Sequence, residues 1–165
     1  MSGILERASA EKELHVSNYL SRADKLKVLD LWNKEFPLRL HFQNEEEFDR
    51  YIESLDIHNH YLVKDSDQQI LAWSMVFNRD FKTWFAVIVD EPFQYQGLGR
   101  SLLHSMKKSS NQLNGWVIDH NNDVKANGEN YFTKKEFFKK HDFQILDHSR
   151  SVSYTHLTLP TKRIV

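Results

Sequence analysis

Residues 84–103 read Trp84-Phe-Ala-Val-Ile-Val-Asp-Glu-Pro-Phe-Gln94-Tyr-Gln-Gly97-Leu-Gly99-Arg100-Ser-Leu-Leu103. Trp84 to Val89 carries no charged side chain, the composition of a strand covered on both faces. After it comes a short loop closing in two glycines. Leu98, Leu102, Leu103, Met106 and Leu113 then mark a helix. A strand that feeds a helix through glycines presents backbone N–H groups at a helix N-terminus, and such an arrangement binds phosphate. The expected cradle is the backbone from Gln94 through Tyr95, Gln96, Gly97, Leu98 and Gly99 to Arg100. Gly97 and Gly99 permit close approach and positive φ. The Arg100 side chain is equally well read as a phosphate contact or a solvated helix position.

Working outward, Leu14-His-Val-Ser fits a first strand, and Ser21 through Phe36 a helix stopped by Pro37. Asn44 can cap a second helix, with Glu45, Glu46 and Glu47 at its positive end. Phe48, Tyr51, Ile52 and Leu55 give that helix an apolar stripe. Tyr61–Val63 and Ile70–Phe77 read as strands joined by a turn, Trp116–Ile118 as an inner strand and Phe143–Leu146 as a last one. Thr133 and Glu136 form a capping-box pattern before a final helix, with Phe132 placed to staple onto Phe137. The order β-α-α-β-β-β-α-β-α-β implies a mixed α/β (α+β) domain: a mostly antiparallel sheet, one parallel right-handed β-α-β crossover from Trp84 to Ile118, and helices on both faces.

The chain has 165 residues, 40% of them hydrophobic, which suits one domain with a real core. With 22 basic and 23 acidic residues there is no cationic excess of the kind a nucleic-acid partner requires. No apolar run reaches the length of a membrane span, and the N-terminus lacks a signal-peptide core, so a cytoplasmic protein is expected, monomeric or homodimeric, with no membrane partner. Absence of cysteine excludes disulfides, a Cys-ligated zinc and a Cys nucleophile. His58-Asn-His60 has the look of a metal pair but no supporting ligands, so no metal site is expected. Lys107-Lys108 and Lys139-Lys140 read as solvated helix faces.

At this point the pattern resembles the GNAT family of acetyl-CoA-dependent N-acetyltransferases. The family signature Gln/Arg-x-x-Gly-x-Gly/Ala, between its fourth strand and third helix, stands here as Gln94-Tyr95-Gln96-Gly97-Leu98-Gly99. A later family pattern, aromatic-Tyr-x-x-x-Gly-Phe, is echoed by Phe137-Phe138-Lys-Lys-His-Asp142-Phe143. Residues 14–146 follow the family's element order, so the resemblance covers nearly the whole natural chain. A P-loop is disfavoured because no Gly-Lys-Ser/Thr follows the glycines, and the crossover comes too late for a Rossmann opening. Two departures stand out. Phe138 occupies the position where many members carry a Tyr as acid toward the departing thiolate, and Asp142 replaces the glycine that usually ends the last helix.

The resemblance implies an acyltransferase that moves an acetyl group from acetyl-CoA to a primary amine of a small molecule or peptide by direct attack. An acyl-CoA-binding or sensor module without turnover is the alternative. The resemblance places the coenzyme's pyrophosphate on residues 94–100 and its pantetheine arm along main-chain groups of Val87, Ile88 and Val89, where an N–H stabilises the oxyanion. Freeing a lysine-like amine of pKa about 10.4 at pH 7 costs about 4.6 kcal/mol, so a general base is expected. The strand itself holds no carboxylate. His120 and Asp119 follow the partner strand on the rim where ligands bind in open α/β sheets, and they are the candidates, with Asp90 and Glu91 equally readable as solvated loop charges. Tyr131 is the candidate to replace the missing Tyr hydroxyl, ahead of Tyr95. Trp32, Phe36, His41, Phe42 and Trp73 are candidates to line an acceptor pocket, core packing being the better account of the tryptophans.

Residues 152–165 differ from all that precedes them. Val152-Ser-Tyr-Thr-His-Leu-Thr-Leu-Pro-Thr-Lys-Arg-Ile-Val165 has no acidic residue and looks like the translation of a sequencing-adapter end. The expected organisation is therefore one domain over 1–151, cut short of its natural C-terminus, and a non-native tail over 152–165, to which no function is assigned. Without Lys162 and Arg163 the balance is 20 basic to 23 acidic residues, a net charge of −3.

Overall fold

A computed structural model of the chain describes residues 11–151 and 154–160. Its strands are β1 (Lys12–Ser17), β2 (Asp56–Asp65), β3 (Ile70–Arg79), β4 (Lys82–Val89), β5 (Gln112–Ile118), β6 (Gln144–Ser151) and β7 (Tyr154–Pro160). Its helices are α1 (Arg22–Glu35), α2 (Glu45–Glu53), α3 (Leu98–Lys107) and α4 (Lys135–Lys140). All the strands join one seven-stranded sheet in the order β1-β2-β3-β4-β5-β7-β6. Every neighbouring pair is antiparallel except β4 and β5, as the crossover in the sequence requires. No helix among the described residues is long and apolar enough to cross a membrane.

Period-two alternation sorts β4 between two cores. Trp84, Ala86 and Ile88 pack with α1 and α2 residues such as Val28, Trp32 and Phe48. Phe85, Val87 and Val89 pack with Leu102, Leu103 and Met106 of α3 and with Phe138 near the chain's end. Local signals set the ends of the elements. The Ser21 hydroxyl accepts from the Asp24 N–H at the start of α1, and the Asn44 side chain accepts from the Glu47 N–H at the start of α2. Pro37 follows the end of α1, where the Phe36 N–H closes on the Trp32 carbonyl.

Several local expectations are corrected. Leu113 is not on α3, which ends at Lys107; it is a fully buried residue of β5. The capping box before α4 forms in part: the Thr133 hydroxyl donates to the Ile118 carbonyl and accepts from the Lys135 N–H at 3.3 Å, whereas the Thr133 N–H goes to Asn121 Oδ1 at 2.8 Å in place of Glu136. Phe132 is 62% exposed and staples nothing. His58 and His60 lie within β2: His60 is buried and accepts from Trp73 Nε1 at 3.1 Å, and His58 meets the Asn78 amide. Trp73, fully buried against His60, packs in the core, the account favoured for the tryptophans.

Asp142 takes the conformation expected of a glycine. Its φ is +70°, and the Phe143 N–H reaches back to the Phe138 carbonyl at 3.1 Å, the long closure of a Schellman cap. The expected domain boundary falls between β6 and β7. Of the segment read as a non-native tail, residues 154–160 form β7, with Leu157 and Leu159 in the core beside α3; residues 152–153 and 161–165 lie outside the described residues.

Candidate functional site

Strands β4 and β5 meet at a single register pair, Trp84 with Asn114, and then diverge. Beyond that pair a cleft of about 870 Å³ opens between Phe85–Val89 on one side and Trp116–Ile118 on the other. The edge it exposes belongs to specific residues. The Asp90 N–H donates to the Leu71 carbonyl at 2.9 Å, and β3 and β4 stay in register without a bulge. Main-chain groups of an antiparallel strand alternate sides, so those of Ile88 face β3, and those of Val87 and Val89 face the cleft. The Val89 carbonyl accepts from the Gln94 side-chain amide at 3.0 Å, so this glutamine ties the loop to the strand.

At the mouth of the cleft the chain passes through a 3-10 turn, Glu91–Phe93, and enters α3 through Gly97. The Gln94 N–H closes on the Glu91 carbonyl, and the Ser101 N–H is the next to find an acceptor, the Gly97 carbonyl at 3.0 Å. Among the described residues, the N–H groups of Tyr95, Gln96, Gly97, Leu98, Gly99 and Arg100 have no acceptor, which concentrates donors at a helix N-terminus. The two glycines serve different ends. Gly97 has φ +84° and ψ 6°, and a Cβ there would meet no atom within 4 Å. A Cβ at Gly99 would lie 3.0 Å from Phe137 Cζ and 3.7 Å from Val89 Cγ2, so Gly99 lets α3 pack against α4 and β4. Arg100 and His141 border this end; burial and the Lys107 and Arg100 cations lower the His141 pKa.

On the other face of the sheet the cleft is walled by α1, its following loop and the end of β3. Trp32, Phe36, His41 and Phe42 line it, as expected, and Tyr51, Phe77, Arg39, Arg79 and Glu35 join them. Trp32 Nε1 donates to the Leu40 carbonyl at 2.9 Å and fixes the loop after α1. Arg39 chelates Asp123 at 2.9 and 2.8 Å and donates to the Tyr154 hydroxyl at 3.0 Å. That pairing holds the Asp123 carboxyl below the usual carboxylate range.

The expected proton-transfer residues divide. Tyr131 borders the cleft, 7% exposed, with burial raising its hydroxyl well above a free phenol. His120 and Asp119 do not line the cleft. His120 Nδ1 accepts from the Asn122 N–H at 3.1 Å and its Nε2 lies 3.9 Å from Asp123, while Asp119 accepts from the Thr155 hydroxyl. Phe138 borders the cleft and is 7% exposed.

Sequence reasoning did not find the buried ion cluster beside the site. Glu35 is 6% exposed; its Oε2 accepts from the Glu91 N–H at 2.8 Å and its Oε1 lies 3.3 Å from Lys125 Nζ, which also reaches Glu91 at 3.2 Å. Lys34, one residue earlier, pairs with Asp90. The end of α1 thereby clamps the loop that leads from β4 to the glycines. The only local sign was Glu35 standing next to Phe36 on a helix face otherwise apolar. Lys134 was also missed: it borders the cleft one turn before Phe138, 5.7 Å from the Tyr131 ring, and burial lowers its pKa.

No protein-family model and no curated protein matches this sequence. Solved structures do. An acetyltransferase of the GNAT family from Staphylococcus aureus Mu50 superposes with a TM-score of 0.65 at 12% identity, over 91% of this chain and 100% of that one. The ribosomal-protein-S18-alanine N-acetyltransferase of Escherichia coli gives 0.62 at 13% identity, over 93% and 97% of the two chains. The spermidine/spermine N-acetyltransferase of Vibrio cholerae gives 0.58 at 12%, over 92% and 94%. With its splayed β4–β5 pair and its glycine-led α3, the chain has the fold of the GNAT N-acetyltransferases.

Proposed function

We propose that the protein is an N-acetyltransferase that moves an acetyl group from acetyl-CoA to a primary amine of a small molecule or peptide by direct attack. The observation that carries this reading is the run of unpaired main-chain donors from Tyr95 to Arg100, opening onto the splayed edge of β4. The residues present fit the coenzyme. The open space beside Gly97 is where a diphosphate has room against the backbone, and the Val87 and Val89 main-chain groups match the amides of a pantetheine arm. When bound, acetyl-CoA supplies an activated acetyl thioester.

The chain's own residues do the rest. Amides 95–100 hold the anion in place, and Gln94 keeps the loop seated on Val89. The Glu35–Lys125–Glu91 cluster fixes the loop at its other end. The aromatic wall from α1 excludes water from the acceptor side. Tyr131 and Lys134 border the cleft where Phe138 has no proton to give; of the two, Lys134 holds its proton less tightly than a free lysine, and Tyr131 more tightly than a free tyrosine. His120 and Asp119, behind the lining, would take a proton from the acceptor through water.

Thermal unfolding tests the reading. Acetyl-CoA at about 100 times Kd adds about 2.7 kcal/mol, a rise of roughly 5–10 °C for a chain of this size. No rise at millimolar coenzyme sinks the proposal. Release of free thiol with a panel of amines then separates transfer from binding. Phe138 favours a second reading, an acyl-CoA-binding or sensor module, which predicts the melting rise without thiol release for any amine.

A further inference from the structure

The acceptor side of the cleft carries an unusual charge pattern. Its one carboxylate, Glu35, is already committed to Lys125 and to the Glu91 N–H. Arg39 is committed to Asp123 and Tyr154. Arg79 is not: it is exposed at the end of β3, its guanidinium lies 5.3 Å from the centre of the Phe77 ring, and among the described residues no carboxylate pairs with it. Arg79 is also close enough to the Tyr51 phenol to oppose the rise to about 12 that burial imposes there. Phe77 and Tyr51, beside this cation, share the cleft lining with Trp32, Phe36 and Phe42, which pack ring to ring with Tyr51 in an aromatic surface with no uncommitted acid.

A polycationic acceptor finds no partner here, since a second ammonium needs a free carboxylate and meets Arg79 instead. A purely apolar amine would use the rings and leave the guanidinium idle. Building on the acetyl-transfer reading, we propose that the acceptor is a small amino acid: a primary amine on an apolar or aromatic body, whose carboxylate is bound by Arg79. The planar fork of an arginine suits a carboxylate in two-point contact, and the aromatic wall takes the body.

The test uses the product side, so that it does not depend on the coenzyme. Titration calorimetry compares N-acetylphenylalanine with N-acetylphenethylamine, which differ only by the carboxylate, and with spermidine. The acid is expected to bind at least about tenfold more tightly than its decarboxylated match, the size of one charge-assisted contact. Arg79→Met is expected to erase that difference and Arg79→Lys to keep part of it, both variants melting within about 2 °C of the parent because position 79 is exposed. Equal binding of the matched pair, tighter binding of spermidine, an undiminished preference in Arg79→Met, or no binding of either acetyl compound at millimolar concentration each overturns the proposal. A failure of acetyl-CoA to raise the melting temperature overturns the transfer reading instead and leaves these outcomes readable.

Discussion

Position 97 separates two demands that a glycine meets at once. Its φ of +84° is left-handed, and a Cβ placed there touches nothing within 4 Å. Gly97→Ala therefore suffers no clash in the free protein and loses only conformational energy, about 1–2 kcal/mol, which for a chain of this size is a fall of roughly 2–8 °C in Tm. Gly97→Asn restores a residue that tolerates the left-handed region, and it should melt within about 2 °C of the parent. Both side chains, however, project into the space beside the unpaired amides. If a diphosphate lies there, the rise given by acetyl-CoA, about 2.7 kcal/mol at 100 times Kd in the parent, falls by more than half in Gly97→Asn although its fold is intact. Differential scanning calorimetry of the three proteins with and without coenzyme reads both quantities. A full coenzyme response in Gly97→Asn would place the anion elsewhere, and an unchanged melting temperature in Gly97→Ala would show that the left-handed turn is not held.

Three further expectations concern stability. Asp142 holds a left-handed conformation that glycine adopts without strain, so Asp142→Gly is expected to gain about 1 kcal/mol and raise Tm by roughly 2–4 °C; a lower Tm would count against the cap as described. Burial lowers the His60 pKa from 6.5 to about 4, so the unfolded chain binds the extra proton between those values. The contribution of neutral His60 is complete above about pH 6.5 and is lost as the pH falls toward 4, so urea titrations should show the parent losing about 2–3 kcal/mol more than His60→Gln between pH 7.5 and 4.5, and parallel curves would refute this. Removing Glu35 leaves buried Lys125 with only the exposed Glu91. Glu35→Ala should cost about 3 kcal/mol, and Glu35→Gln combined with Lys125→Met should recover most of it; a loss under about 0.5 kcal/mol for the single change would show that the cluster clamps nothing.

Apolar periodicity, the Asn44 cap and the glycine pair carried most of the architecture, because each is a local signal whose partner lies within a few residues. The failures share another cause. The Thr133 capping box lost its reciprocal half to the Asn121 side chain, 12 residues earlier, which takes the Thr133 N–H. Glu35 and Lys125 stand 90 residues apart, and nothing near either one announces the other. Arg79 reads as an ordinary turn residue until the sheet brings it over Phe77 and beside the rings of α1 and α2. His120 and Asp119 follow β5, but the Asn122 N–H and the Thr155 hydroxyl engage their side chains outside the lining, and neither partner is marked in the sequence. The glycine loop was written in consecutive residues; the aromatic wall was assembled by contacts across the chain.

Strand β7 follows both β5 and β6 in the chain but lies between them in the sheet. During synthesis the hairpins of β2, β3 and β4 can close as they emerge, whereas β5 and β6 have no common edge until residues 154–160 leave the ribosome. At about 5–20 residues per second, the far half of the sheet waits several seconds after β4 before its middle strand arrives. Until then two open edges and the apolar seat of Leu157 and Leu159 are exposed, a window for chaperone capture or aggregation. The seat selects side chains as well as backbone: Thr155 donates to Asp119, the buried His156 meets the Asn114 amide oxygen at 2.9 Å and stacks on Trp84, and Arg39 donates to the Tyr154 hydroxyl. The last strand therefore closes the sheet through side-chain partners on β5, on the residue after it and on the turn after α1, and not through its backbone alone.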